Sequence, residues 1–229
     1  MSALLSLTEE HQTISGLLGA LHTYAMRLRS GATVDPMDLG RFSEVLRELV
    51  DYRHHEKEEG ILMPLLARNG FEWSTGLLAE LRHEHGHLRH LIDVLCQAAA
   101  KDSAGSPEQR RQVVDVALAF VEYKREHIRK EDDVLFTAVI DRLDARSLEQ
   151  LEAELARFDR ATAGAALDPS GPLATLASEL VQRYSVDSGT VDVTGLRWLG
   201  GSQPFEIARS SVELGARTRR PATSFGRSR

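Results

Sequence analysis

The feature that most constrains the fold of this chain is a histidine–glutamate motif that occurs twice along it. The sequence reads HHEKEEGILM from His54 and HIRKEDDVLF from His127. Each copy has a histidine, a glutamate four positions later, a further acid and then apolar residues. A second matched pair, Glu10-His11 and Glu84-His85, precedes the two copies at nearly the same offset. The simplest interpretation is two helical hairpins built on one plan.

Four long stretches are predicted to be amphipathic helices, because apolar residues recur in them with helical spacing. Ser106-Pro107 is typical of a helix start, and Asn69-Gly70 is typical of a helix end. Short loops between long helices favour an all-α fold, an up-down-up-down four-helix bundle. The four predicted helices cover about residues 2–28, 35–68, 74–100 and 107–143.

The chain continues beyond the bundle with weaker patterns. A fifth helix is predicted from Ser147, with Gln150 at the capping-box position, and a shorter helix is predicted up to Tyr184. Residues 190–199 are compatible with a short strand pair, and the arginine-rich segment 215–229 is typical of a disordered tail. The predicted organisation is a bundle over 1–145, added helices over 146–185, and an irregular extension with a basic tail over 186–229.

All nine histidines lie between His11 and His127, so histidine chemistry belongs to the bundle. Around His85, the residues that share its helix face include Leu81 and Leu88, so His85 is predicted to face the core. The same test selects four histidines in all: His11, His54, His85 and His127. It places the following on the surface or at a helix end: His22, His55, His83, His87 and His90.

Glu58 and Glu131 each lie one helical turn beyond an inward histidine, so both carboxylates are predicted to enter the core. Burying them unpaired would be very unfavourable, and a metal ion removes that penalty by binding ionised carboxylate and neutral imidazole. At ~1.5 Å per residue, the four histidines lie roughly 22 to 30 Å from the same end of the bundle and can meet. A bundle without metal would instead have to rely on buried histidine–carboxylate pairs, which contribute little stability.

Six nitrogen and oxygen ligands suit two metal ions, since two carboxylates can each bridge a pair, and this donor set favours iron. The chain lacks the sulfur-rich pattern of structural zinc sites, because Cys96 is its single cysteine. The inward residues also have the opposite order to ferritin-like sites, which use Glu-x-x-His. The predicted metal ligands are His11, His54, Glu58, His85, His127 and Glu131.

These residues and their order resemble the hemerythrin-like (HHE cation-binding) family over about residues 4–143. The resemblance implies a non-haem centre of two iron ions in a four-helix bundle. The four histidines would be terminal ligands, and Glu58 and Glu131 would bridge the ions together with an oxo or hydroxo group. Open iron positions would favour reactivity over reversible oxygen carriage.

The chain departs from the oxygen-carrying members, which use five histidines with His-x-x-x-His on the third helix and His-x-x-x-x-Asp on the fourth. His83 and His87 have the first spacing, and His127 with Asp132 has the second. This ligand set therefore stays an alternative, although the apolar-face test selects His85 and Glu131 instead.

Three further side chains lie near the predicted ligands in sequence. Tyr123, one turn before His127, is interpreted as a hydrogen-bond donor to a ligand, as an extra iron ligand, or as a core tyrosine. Asp51 and Glu59 are placed to orient ligand histidines, but their simpler interpretation is a solvated face.

Composition excludes several classes of function. The formal net charge of −6 argues against a nucleic-acid binder built on overall charge. No apolar run reaches the ~18 residues of a membrane span, and the first residues are not expected to form a signal peptide. The single thiol fits a reducing cytoplasm. We therefore expect a cytoplasmic protein without membrane or nucleic-acid contact.

The predicted function is a di-iron protein that binds or reacts with O2, NO or H2O2, by catalase-like or NO-handling chemistry if it is an enzyme. The alternative is a regulatory module that senses iron or oxygen, or delivers iron, through its C-terminal extension. A protein that contacts this extension would then be its partner.

Overall fold

The computed structural model describes residues 4–100, 106–162 and 171–185, and within those ranges the chain is helical and has no strand. The predicted all-α fold is confirmed. The second and fourth bundle helices are continuous, but each passes through π-helical turns. The bundle consists of α1 (Leu5–Ser30); α2 (Asp38–Leu46), the π-helical segments Arg47–His55 and Glu58–Leu62, and α3 (Met63–Arg68); α4 (Gly76–Ala100); and α5 (Pro107–Lys130), the π-helical segment Glu131–Leu135, and α6 (Phe136–Arg142).

The four helical stretches close into a ring. Helix α1 packs against α5, α5 against α4, and α4 against α2, while the π-helical segment Arg47–His55 contacts both α1 and α4. None of the described helices combines the length and apolar character that crossing a bilayer requires.

Two apolar clusters fill the bundle, one towards each end, and a layer of polar side chains separates them. The amphipathic patterns of the bundle helices place these side chains inside, since each helix turns one apolar stripe to the core. The first cluster includes Leu17, Leu21, Phe42, Leu95 and Phe120. The second includes Leu7, Leu62, Leu81, Leu135 and Val139.

Side-chain caps mark the starts of two helices, and one of them corrects a prediction. Ser106 accepts a hydrogen bond from the backbone N–H of Gln109, which completes a capping box at the start of α5. The next helix, α7 (Ala145–Thr162), begins two residues before the predicted Ser147. Asp144 accepts the backbone N–H of Ser147 at 2.8 Å, so an aspartate rather than the predicted serine satisfies the first turn.

Helices α7 and α8 (Pro172–Arg183) both contact the bundle. Leu151 and Leu155 of α7 join the second apolar cluster. After α8, the Tyr184 hydroxyl donates to Oδ2 of buried Asp38 at 2.6 Å, which ties this end of the chain to the start of α2. The predicted strand pair at 190–199, the tail at 215–229 and the extension 186–229 lie outside the described residues.

Candidate metal centre

The layer between the two apolar clusters contains all six predicted ligands, and each is at most 3% exposed. Helix α1 supplies His11, and the second bundle helix supplies His54 and Glu58. Helix α4 supplies His85, and the fourth bundle helix supplies His127 and Glu131. We call this set the six-residue cluster: His11, His54, Glu58, His85, His127 and Glu131.

The first half of the cluster is a pair of imidazoles from α1 and the second bundle helix. The Nε2 atoms of His11 and His54 lie 3.0 Å apart. His11 Nδ1 lies 2.8 Å from Asp132 Oδ1, and His54 Nδ1 lies 3.1 Å from Glu10 Oε2. Because a carboxylate only accepts hydrogen bonds, each Nδ1 is the donor, and each Nε2 turns its lone pair inward.

The second half repeats this arrangement with imidazoles from α4 and α5. The Nε2 atoms of His85 and His127 are also 3.0 Å apart. His85 Nδ1 donates to Glu59 at 2.6 Å, and His127 Nδ1 donates to Glu84 at 2.7 Å. Carboxylates that fix the tautomer and orientation of an imidazole in this way are characteristic of metal-binding histidines.

The distance between the paired Nε2 atoms is itself informative. Two inward lone pairs repel each other unless a cation or a proton lies between them. Two nitrogen ligands at about 2.1 Å from one ion, and at right angles, are about 3.0 Å apart. Both imidazole pairs therefore have a separation that fits shared coordination of one ion, and a proton between the two nitrogens holds the same separation when no ion is bound.

The two glutamates span both imidazole pairs. Glu58 Oε1 lies 3.6 Å from His54 Nε2, whereas its Oε2 lies 3.3 Å from His85 Nε2. Glu131 Oε2 lies 3.3 Å from His11 Nε2, whereas its Oε1 lies 2.8 Å from His127 Nε2. Each carboxylate thus directs one oxygen to each pair, as a bridging ligand does.

Unsatisfied polar atoms support the same assignment. Among the described residues, both carboxylate oxygens of Glu58 and Oε2 of Glu131 are buried without a hydrogen-bond partner. Such atoms are very unfavourable in a protein interior unless a cation binds them. Two four-residue sets, which share both glutamates, have ligand atoms within 4.8 Å of one another: His11, His54, Glu58 and Glu131; and Glu58, His85, His127 and Glu131.

The charges in the cluster shift its titration strongly. Burial alone would lower the pKa of His54, but nearby carboxylates, Glu58 foremost, raise it to about 8. Burial also opposes the charge on His85, yet hydrogen bonds to Glu131 and Glu58 raise its pKa to about 10. Burial would raise the pKa of Glu131, but Lys124 and the imidazoles hold it well below its ordinary value. Without metal, His54 and His85 therefore retain a second ring proton at neutral pH.

His55 is buried, so its predicted surface position is wrong. Its ring stacks on His85 with centroids 3.9 Å apart, and it lies close enough to His85 and His127 for the three to hold a cation. It belongs to the π-helical segment Arg47–His55, whose wider turns invalidate the α-helical spacing used for the prediction. Burial and then the positive neighbours hold the pKa of His55 well below its ordinary value, so the ring is neutral.

Lys124 lies beside the six-residue cluster, and its position was not predicted from the sequence. It is fully buried, and its Nζ lies 3.2 Å from His55 Nε2 and 3.9 Å from Glu131 Oε2. Lys124 lies seven positions before Glu131 on one helix, so the two share a helix face. A test of charged residues for inward positions would therefore have predicted its burial.

Tyr123 lies next to the cluster rather than in it. It is half-buried, and its ring packs edge-on against His87 at 4.6 Å. Burial and the nearby carboxylate of Glu84 raise the pKa of its hydroxyl. Tyr123 therefore lies near the carboxylate that orients His127.

The alternative five-histidine set is not brought together. His83 and His87 are exposed on α4, as is His90, and His22 is half-buried on α1. Asp132 accepts the Nδ1 proton of His11 from outside the cluster.

The two acidic residues interpreted as solvated are in fact paired. Glu59 is 26% exposed, and it accepts hydrogen bonds from His85 and, at 2.9 Å, from Arg89. Asp51 also pairs with Arg89. The solvated interpretation is therefore wrong for both, and only Glu59 orients a residue of the six-residue cluster.

The chain matches a known protein family. The family model described as the hemerythrin HHE cation-binding domain matches residues 3–139 and 76–185. The two matched ranges overlap over the second half of the bundle, as expected if that half resembles the first. No curated protein and no solved structure gives a significant match.

Proposed function

This chain belongs to the hemerythrin HHE cation-binding domain family, and on that premise we propose that its six-residue cluster holds two iron ions. We propose further that O2, NO or H2O2 binds or reacts there. The observation that carries the proposal is the pair of Nε2 contacts at 3.0 Å, each with both Nδ1 atoms held by carboxylates.

The donor set suits this assignment. Each ion would have two imidazole nitrogens and one oxygen from each glutamate, which is four ligand atoms in a mixture that iron accepts. A pair of iron ions supplies redox chemistry and positions for a small ligand. The chain's own contribution is to fix the imidazoles through outer carboxylates and to exclude bulk water.

The depth of the cluster limits the size of the ligand. Its side chains are at most 3% exposed, and the apolar residues Leu62, Leu81 and Leu135 pack in the adjoining cluster. A diatomic molecule or a peroxide fits such a site far better than a larger substrate does. We also propose a cytoplasmic location, because the chain has a single cysteine and a lone thiol fits a reducing compartment.

The proposal is tested by measuring iron per chain after reconstitution with ferrous iron. We expect about two irons in the wild type and in the control His83→Ala, and strong loss in Glu58→Ala. Absence of iron from the reconstituted wild type would refute the proposal. Equal loss in His83→Ala would favour the five-histidine alternative.

A second measurement separates binding from catalysis. If the protein is a catalase-like enzyme, it should decompose many equivalents of H2O2 without losing its iron. Bleaching of the centre after a few equivalents would favour a binding or sensing function, and NO uptake by the ferrous protein would then be the next assay.

One observation favours the regulatory alternative. Lys57 Nζ lies 2.6 Å from Glu10, which accepts the Nδ1 proton of His54, and 2.6 Å from Asp159 of α7. A contact chain thus joins a predicted ligand to a helix outside the bundle. If the protein is a sensor, hydrogen exchange in α7 should change when iron is removed, and unchanged exchange there would count against sensing through this helix.

A further inference from the structure

The surroundings of the six-residue cluster are nearly two-fold symmetric, and the departures from symmetry lie together. The repeat pairs Lys57 with Lys130, and each of these lysines contacts the carboxylate that orients a histidine. The same alignment pairs Asp51 with Lys124, and His55 with Ile128. The two residues that break the symmetry inside the bundle, His55 and Lys124, contact each other.

The Lys124 ammonium group has hydrogen-bond donors that none of its described contacts uses. An ammonium group donates three hydrogen bonds. His55 Nε2, at 3.2 Å, takes one of them, and Glu131 Oε2 at 3.9 Å is too far for a hydrogen bond. The side chain is fully buried, so water from the surface does not compensate for the rest.

Lys124 also lies close to a carboxylate that would bridge the two ions. Its Nζ is 3.9 Å from Glu131 Oε2, in a medium where charges interact strongly. A small anion beside Lys124 would accept the hydrogen bonds that the described contacts leave unused.

We infer that Lys124, positioned by His55, is the hydrogen-bond donor that binds a small anion at the centre. This inference rests on the proposed function, because it assumes a loaded cluster. The ligand class is a small inorganic anion with a terminal acceptor atom, such as azide or the hydroperoxide anion. The site then favours anions over neutral diatomic molecules of similar size.

Neutral substitution of Lys124 in the full chain tests this inference. The probe is azide, titrated into the iron-loaded ferric protein and followed by its visible absorption. Lys124→Met and Lys124→Gln should each keep two irons and bind azide about tenfold more weakly or worse, since a charge-assisted hydrogen bond is lost. Binding of NO to the ferrous protein should change by less than about threefold.

Two further variants are matched controls. Arg125→Met removes one positive charge from an exposed position of the same helix and should leave azide binding within about twofold of the wild type. His55→Phe keeps a ring against His85 but removes the acceptor that positions Lys124. It should weaken azide binding less than loss of Lys124 does.

Three outcomes of these experiments would overturn the inference. Equal azide affinity in the wild type and both Lys124 variants, with two irons in each, would overturn the inference and leave the di-iron proposal intact. Loss of iron from both variants would make Lys124 a residue that maintains the site, which also overturns anion binding. A wild type without iron would refute the proposed function and this inference together.

Discussion

The two halves of the bundle hold their histidines in the same way but surround them differently. Every feature that holding a cation requires occurs twice: the inward Nε2 atoms, the bridging carboxylates, the acids on Nδ1 and the lysines behind two of those acids. The matched pairs are His11 and His85, His54 and His127, Glu58 and Glu131, Glu10 and Glu84, Asp132 and Glu59, and Lys57 and Lys130.

The differences concern what lies next to the six-residue cluster rather than the cluster itself. The first half has a π-helical segment, Arg47–His55, at a position where the second half continues as regular α5. Both His55 and its counterpart Ile128 are buried, but Ile128 joins the first apolar cluster whereas His55 stacks on His85. Lys124 meets His55 from the other half. The comparison teaches that duplication accounts for the residues that can hold a cation, while the residues that we propose to bind a small anion are present once.

The largest expected effect is the loss of all iron when either bridge is removed. Glu58→Ala and Glu131→Ala each remove a carboxylate that contacts both imidazole pairs, so iron per chain should fall from about two towards zero in both. Elemental analysis of the two purified variants, with circular dichroism to check folding, makes this comparison. Retention of two irons in either variant would show that the halves do not share their carboxylates.

Loss of one terminal imidazole should cost about half of the iron. His11→Ala and His85→Ala each affect one imidazole pair and leave the other complete. If the halves are equivalent, both variants should hold about one iron per chain under limiting metal. A variant that loses both irons while its counterpart loses one would show that the two sites fill in a fixed order.

Removing an outer carboxylate should weaken metal binding by about tenfold. Glu10→Gln and Glu84→Gln change the acceptors of His54 and His127 respectively, and both acceptors are backed by a lysine. Competition with a chelator of known affinity measures the effect. An unchanged affinity in both variants would mean that the outer carboxylates do not tune the imidazoles.

The smallest expected effect is a change in the stability of the metal-free protein as the pH rises. Since the pKa values of His54 and His85 are raised to about 8 and about 10, folding binds protons at neutral pH. Their contribution is complete below the ordinary pKa of about 6.5 and is lost as pH rises through about 8 to 10.

The melting temperature of the metal-free protein should therefore fall by a few degrees over that range. Iron-loaded protein should not show this fall, because its imidazoles are already deprotonated. Thermal unfolding at several pH values measures both forms. A metal-free protein whose stability rises with pH over this range would contradict the carboxylate pairing of these two histidines.

Helical spacing in the sequence was sufficient to predict most of the fold and the composition of the six-residue cluster. It succeeded for His85 because α4 is regular, and for Glu131 because α5 is regular up to Lys130, the residue before it, so each residue turns by ~100° up to that point. It failed for His55, because successive residues His54 and His55 are both buried in the π-helical segment Arg47–His55, and α-helical spacing predicts only one of them inward.

The surroundings of the cluster were harder to predict, because they depend on contacts between distant parts of the chain. A buried lysine such as Lys124 contradicts the usual distribution of charge, and only its neighbours His55 and Glu131 explain it. The contact of Asp159 with Lys57 requires α7 to return to the bundle, which no local pattern specifies.

The most direct test of the central claim is anomalous diffraction at the iron edge from crystals of the reconstituted protein. Two ions held by the six-residue cluster should give two peaks about 3.5 Å apart. One should lie between His11 and His54, and the other between His85 and His127. A single peak, or a peak centred on His55, His85 and His127, would contradict the assignment of two carboxylate-bridged ions.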